Sequence, residues 1–247
     1  MTIASGSGLG LMVRKLTSIA SLSGEEQQAI EALPHVIRVF EPGEDIVRDK
    51  DRPAYCCILL SGWGYRYKVL ADGKRQILSF HIPGDIPDLQ SLHLRVMDHS
   101  VGVITTSSVG MIPHEALREL TRGHPNLAAI LWRDTLIDAA IFREWMTGIG
   151  RRTAHGRVAH LLCELYLKLH AIGLAEHFRC DLPITQVDIG DALGLSNVHV
   201  NRMLQDLRAR GLIALRGRSL AIEDWVALTR VAEFDPTYLH LVKPIPA

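Results

Sequence analysis

The chain has 247 residues, of which 27 are basic and 27 acidic, so its formal net charge is zero; 47% is hydrophobic and 22% charged. This is an ordinary globular composition with room for two moderate domains, and any basic surface has to be local. No apolar run reaches the roughly 18 residues of a transmembrane helix, so no membrane partner is expected.

The opening segment, MTIASGSGLGLMVRKL, has no basic stretch before its apolar part and no clear cleavage site. It reads as a loose leader over residues 1–24, not a signal peptide. From Val36 to about Ile112 the signals are those of strands. HVIRVFEPGEDIV alternates apolar and polar residues around the turn pair Pro42-Gly43. AYCCILLSGWGYRYKVLADGKRQILSFHIPGDI holds two or three strands, and HSVGVITTSSVGMI a further pair. Asp72-Gly73 between alternating runs predicts a hairpin, because both residues tolerate positive φ. Short strands at about ten-residue spacing predict a β jelly roll, a double-stranded β-helix. The four cysteines, Cys56, Cys57, Cys163 and Cys180, lack CxxC spacing and read as reduced, mostly buried thiols of a cytoplasmic protein.

After Pro125 the period changes to that of a helix running to Gly148 and Gly150. Leu127, Ile130, Asp134, Ile137 and Ile141 recur in alternating steps of three and four, as in a coiled-coil seam with one polar register residue. They are the expected dimer seam, with Leu131, Trp132, Phe142, Trp145 and Met146 facing the β-domain. The glycines of TGIGRR are expected to form a hinge, with Thr153 capping the next helix.

Thr185-Gln186-Val187-Asp188 predicts a capped helix start. Gly194 ends that helix with positive φ, and Ser196 caps a second one whose buried positions are Val200, Met203, Leu204 and Leu207. Asn197, Val198, Asn201, Arg202, Gln205 and Arg208 then face outward. LIALRGRSLAI follows as a hairpin wing with a basic tip. This is a winged helix-turn-helix, suited to duplex DNA. Asn197, Val198, Asn201 and Arg202 are the candidate base readers; Thr185, Gln186, Ser196, His199, Arg216 and Arg218 are the candidate phosphate contacts.

The expected fold class is therefore α+β: an N-terminal jelly roll (25–122), a long dimerisation helix with its hinge (123–152), a C-terminal winged helix-turn-helix (153–235) and a tail (236–247). In this order, and in FEPGEDI, LLSGWGYRYKVLADGKRQILSFHIPGD, GRVAHLL and TQVDIGDALGLSNVHVNRMLQDLRARGLI, the chain resembles the Crp/Fnr superfamily of bacterial transcription regulators over roughly residues 25–222. The resemblance implies a homodimer on a near-palindromic operator with half-sites about one helical turn apart, and RNA polymerase as a partner. The β-domain is expected to be either a sensor, with an unidentified small-molecule effector, or a constitutive scaffold.

The departures are specific. Cyclic-nucleotide-binding members hold the phosphate with a Gly-Glu and a downstream Arg-Ser. Here Asp85 stands for the Glu and Asp98-His99 occupies the Arg-Ser neighbourhood, so cyclic AMP binding of the usual kind is not expected. No cysteine precedes Cys56, which argues against the iron–sulfur cluster of other members. Vicinal Cys56-Cys57, placed on opposite faces of a strand, would be a poor cluster. Val198 stands where many members carry a cytosine-reading Glu, and Arg202 matches their guanine-reading arginine. The competing readings are a metal-dependent cupin-like enzyme and a small-molecule-binding regulatory subunit without DNA binding. The first lacks support because His81, His93, His99 and His114 do not form the His-x-His pair with a following Glu that such sites need. The second is disfavoured by the wing and the missing Arg-Ser. No metal, cofactor or catalytic residue is assigned.

Overall fold

Leu9, Met12, Leu16 and Ile19 recur at helical spacing. In the structure, a computed structural model describing residues 8–242, they are buried along helix α1 (Gly10–Ile19). The leader expected over residues 1–24 is thus replaced from residue 10 by an ordered helix, and residues 1–7 lie outside the described part. No side chain caps α1 at Leu9, so its start carries no local sequence signal. Helix α2 (Gly24–Glu31) has such a signal: Ser23 and Glu26 form a reciprocal capping box.

The chain divides into two compact units, one of residues up to 138 except 75–77, the other of 75–77 and everything from 139 onward. The strands that follow are β1 (Val36–Phe40), β2 (Asp45–Val47), β3 (Tyr55–Leu59), β4 (Gly64–Val69), β5 (Arg75–His81), β6 (Ser100–Val103) and β7 (Ser107–Pro113). They form two antiparallel sheets, ordered β1-β7-β3 and β2-β6-β4-β5. The core includes Cys57, Leu59 and Val109 in one cluster and Val47, Met97 and Val101 in another. The turn glycines fall where the sequence put them. Gly73 has φ 82° in the β4–β5 hairpin, and a Cβ on Gly84 (φ 96°) would stand 2.6 Å from the Leu11 carbonyl.

Both vicinal cysteines are buried, as are Cys163 and Cys180, and all four are free thiols. Burial, aided by Asp88, pushes the Cys56 thiol up to about 12, and burial with Asp181 does the same for Cys180. Both are therefore poor thiolate nucleophiles.

Helix α3 (His114–Gly123) precedes the long helix α4 (Pro125–Arg151), within which the boundary between the units falls. The structure overturns the expected seam on α4. Leu127, Ile130, Ile137 and Ile141 are each under 8% exposed in a single chain. Asp134 turns its carboxylate to Lys15 Nζ on α1 at 3.2 Å. The reason is that α4 carries two apolar stripes, and the more continuous one packs on its own chain. The stripe left open includes Trp132 (69% exposed), Leu136 (55%) and Met146 (71%), whereas Leu131 and Trp145, expected beside them, are buried.

The expected glycine hinge is likewise helical, since α4 continues through Gly148 and Gly150 to Arg151. Helix α5 (Ala154–Ala171) starts after Thr153, whose hydroxyl accepts from the Gly156 N–H as predicted. The polar break after α5 contains strands β8 (Ala175–Glu176) and β9 (Arg179–Asp181), too short to show an alternation. Then come α6 (Gln186–Leu193), α7 (Asn197–Ala209), β10 (Ile213–Arg216), β11 (Ser219–Ile222) and α8 (Trp225–Ala232). The four strands form one sheet ordered β10-β11-β9-β8. The expected tail is partly built: Pro236–Leu239 is a 3-10 turn with Leu239 buried, and residues 243–247 lie outside the described part.

Candidate nucleic-acid interface

The turn between α6 and α7 is set by two glycines and two caps. Thr185 and Asp188 form a reciprocal box at the start of α6, and Ser196 Oγ accepts the His199 N–H at the start of α7. Gly194 takes φ 65° at the end of α6. Gly190 is needed for a different reason: a Cβ there would stand 2.6 Å from the Leu195 carbonyl oxygen, closer than van der Waals contact allows. Helix α7 buries Val200, Met203, Leu204 and Leu207, the four positions its periodicity predicts.

That burial fixes what α7 presents. Asn197, Val198 and Arg202 are exposed at its N-terminal half, and Asn201 is half-buried. Val198 is 81% exposed, an apolar side chain with nothing of its own chain to cover it. Asn201 Nδ2 donates to Gln186 Oε1 at 3.1 Å, so a residue of α7 and one of α6 hold each other in place. Of the candidate phosphate contacts, Thr185 and Ser196 are exposed, and Gln186 and His199 are half-buried. The Thr185 hydroxyl is already committed to Asp188 and the Ser196 hydroxyl to His199. What these two positions offer an anion is the free N–H groups of each helix's first turn.

Arg216 and Arg218 flank Gly217 (φ 59°) at the exposed tip of the β10–β11 hairpin. Between α7 and β10 lies an open groove of about 580 Å³, bordered by Gln205, Arg208 and Arg216. Gln205 and Arg208 were legible only as outward-facing positions; their partnership with Arg216 depends on how the hairpin folds back. The arrangement is a protruding helix tip of amide, apolar and guanidinium groups with a second set of guanidiniums beside it. It can donate in a groove of duplex DNA and to its phosphates at once.

Comparison with known proteins matches two stretches of the chain to families. Residues 37–124 match the cyclic nucleotide-binding domain and residues 156–231 the Crp-like helix-turn-helix domain. The chain is 28% identical to the transcriptional activator protein Anr of Pseudomonas aeruginosa over 213 residues, 86% of each protein. The structure of FixK2 from Bradyrhizobium japonicum superposes with a TM-score of 0.73 at 28% identity, covering 80% of this chain and 96% of that one. The nitrogen fixation regulation protein FixK of Rhizobium meliloti is 30% identical over 185 residues, 74% of this chain and 80% of FixK. The chain belongs to the Crp/Fnr family. It is a DNA-binding transcription regulator, and neither the enzyme reading nor the regulatory subunit without DNA binding finds support among these relatives.

As a Crp/Fnr protein it carries a cyclic-nucleotide-type β-domain, but the residues of its cassette do not fit a cyclic phosphodiester. Asp85 is 2% exposed, takes the Ile82 N–H at 3.1 Å and lies 2.7 Å from Lys15 Nζ. Asp88, 1% exposed, takes the Cys57 N–H, and burial pushes its carboxyl up to about 6. His99, in the Arg-Ser neighbourhood, is bonded to Asp98 at 2.7 Å; burial, then Arg66, holds its imidazole below the usual range and therefore neutral near pH 7. The buried arginine of the region, Arg66, donates to the Pro87 carbonyl from Nε and Nη2 and to Asp138 from Nη1. A phosphate would meet carboxylates and a neutral ring, with the cations already spoken for by the protein's own acids.

Proposed function

We propose that this Crp/Fnr regulator binds a near-palindromic operator as a homodimer, with Arg202 reading guanine and Asn197, Val198 and Asn201 contacting neighbouring bases. The observation that carries this reading is the exposed tip of α7, where a guanidinium, two amides and an uncovered valine share one end of a helix. Valine has no acceptor for cytosine but suits a thymine methyl, so the operator differs from those read through a glutamate at this position. Thr185, Gln186, Ser196, His199, Arg216 and Arg218 meet phosphates. RNA polymerase is the further partner, the cytoplasm the compartment, and the β-domain a scaffold or a sensor of an effector other than a cyclic nucleotide.

Operator selection from random duplex DNA followed by two substitutions tests the roles. Arg202→Ala should lower affinity for the selected site by about 1–3 kcal/mol and relax preference at one base pair per half-site. Arg218→Ala should weaken binding to all duplexes alike and reduce the salt slope by about one per subunit. Base preference unchanged in Arg202→Ala would refute the assignment.

The dimer is proposed to form on the open stripe of α4. Trp132, Leu136, Ala139, Arg143 and Met146 follow steps of four and three, the spacing by which two helices interlock. Leu136→Glu should convert the dimer to a folded monomer in sedimentation and abolish two-half-site binding. A glutamate at Ile137 should instead unfold the chain locally, because that position is buried. A Leu136→Glu protein that stays dimeric would put the contact elsewhere.

A further inference from the structure

Helices α4 and α5 are joined by little more than Arg152 and Thr153, so the angle between them depends on side chains that cross the junction. The most buried of these is Glu164 on α5, 1% exposed. Trp145 Nε1 near the end of α4 donates to both its oxygens, at 3.1 and 3.2 Å. The second donor comes from the far end of the sequence: Tyr238 Oη donates to Glu164 Oε2 at 2.6 Å across 74 residues.

The segment that brings Tyr238 there is built to return. Glu233 takes a left-handed φ of 48° after α8, a conformation a non-glycine residue adopts at a cost and keeps only when its surroundings enforce it. Asp235 then accepts the Thr237 N–H and starts the turn Pro236–Leu239. Phe234 and Tyr238 lie against the ring of His160, at centroid distances of 5.0 and 5.8 Å, one edge-on and one stacked. Burial and the adjacent Glu164 push the Tyr238 phenol well up, which keeps it a donor. Beside this cluster Arg152 pairs with Glu144, closing the same junction from the other side.

We propose that Tyr238 and Glu164 are positioning residues that latch the end of α4 to α5 and thereby set the spacing between half-sites that a dimer accepts. The proposal rests on the dimer reading above. Met146 and Ile149, on the open stripe, share the end of α4 with Trp145, while α5 carries the DNA-binding helices in the same compact unit. A dimer joined along α4 therefore presents its two α7 tips at a separation fixed by the α4–α5 angle. Nothing in Tyr238 or Glu164 touches the reading face, so their contribution appears in the tolerance for spacing and not in base preference.

The test uses the full chain and duplexes carrying the selected half-sites at the selected spacing, at spacings one and two base pairs longer and shorter, and a duplex with one half-site. Tyr238→Phe removes one hydroxyl, and Trp145→Phe independently removes the other donor. A lost hydrogen bond corresponds to up to about tenfold in an equilibrium. Each variant should therefore erode the preference for the native spacing by up to about tenfold while single-half-site affinity and base preference stay at wild-type values. A merely structural role would lower the melting temperature and all affinities together, leaving the ratio between spacings untouched, and would refute the latch. A wild-type preference that both variants retain refutes it as well. A wild-type protein with no spacing preference at all overturns the dimer reading and the latch with it.

Discussion

Lys15→Met should destabilise the N-terminal unit by on the order of 3–5 kcal/mol, the range expected when one partner of a buried ion cluster is removed. Lys15 reaches from α1 to two carboxylates, Asp85 at 2.7 Å and Asp134 on α4 at 3.2 Å. Asp134 and Asp85 together raise the lysine above its ordinary value although burial works the other way, so it is a cation in the folded protein. Methionine fills a similar volume but removes the ammonium that both carboxylates share, and His81, at 3.3 Å from Asp85, reaches only one of them. Two like charges without their cation are best relieved by a proton, so the loss should shrink at acid pH. Urea unfolding of the variant at pH 7 and pH 5 measures both. A midpoint within experimental scatter of wild type at pH 7 would mean that solvent, not Lys15, balances these acids.

The same cluster shows where sequence reading stops. Strands, turn glycines, both helix caps of the helix-turn-helix and the four buried positions of α7 follow from neighbours a few residues apart, and each appears where expected. Lys15 and Asp134 are 119 residues apart and Arg66 and Asp138 are 72 apart. Neither pair has a local signature, because a charged residue in a helical stripe looks alike whether it meets solvent, a second subunit or its own chain. The inverted faces of α4 have the same origin. Its stripe of Leu127, Ile130, Ile137 and Ile141 and its stripe of Trp132, Leu136 and Met146 are both apolar at helical spacing. Which one the chain covers is decided by residues far from α4 in sequence, such as Lys15 of α1 against Asp134, and not by α4 itself. The α1 helix itself escaped notice because it lacks a capping side chain, and β8 and β9 because two and three residues cannot display a period.

On the DNA interface the division is sharper still. Residue types could be assigned to the tip of α7 because a helix fixes which positions point away from its buried side. The bond between Asn201 and Gln186, by contrast, joins two helices and limits how far Asn201 can reach independently of α6. Base reading by Asn201 thus requires it to share its amide with Gln186, whereas Arg202 carries no such tie among the described contacts and is the better single probe.

Acidification should unfold the C-terminal unit ahead of what its surface charges alone would cause, with His160 responsible. Its ring is 4% exposed, stacked on Tyr238 and flanked by Phe234. Burial, reinforced by the Arg152 guanidinium, lowers its pKa to about 3. Glu144 is the nearest acid, but at 3.6 Å it is too far for a hydrogen bond and is already paired with Arg152. Between about pH 3 and 6.5 the unfolded chain therefore binds a proton at this site that the folded one refuses. Stability is full above pH 6.5 and falls as pH drops, by on the order of 3 kcal/mol at pH 4.5 and about 5 once both forms are protonated. His160→Phe keeps a ring against Tyr238 and removes the titration. Its urea midpoint should match wild type within about 1 kcal/mol at pH 7 and exceed it at pH 4.5. Parallel pH profiles for the two proteins would show that the imidazole is either hydrated in solution or already protonated in the fold, and would remove His160 from the account of acid lability.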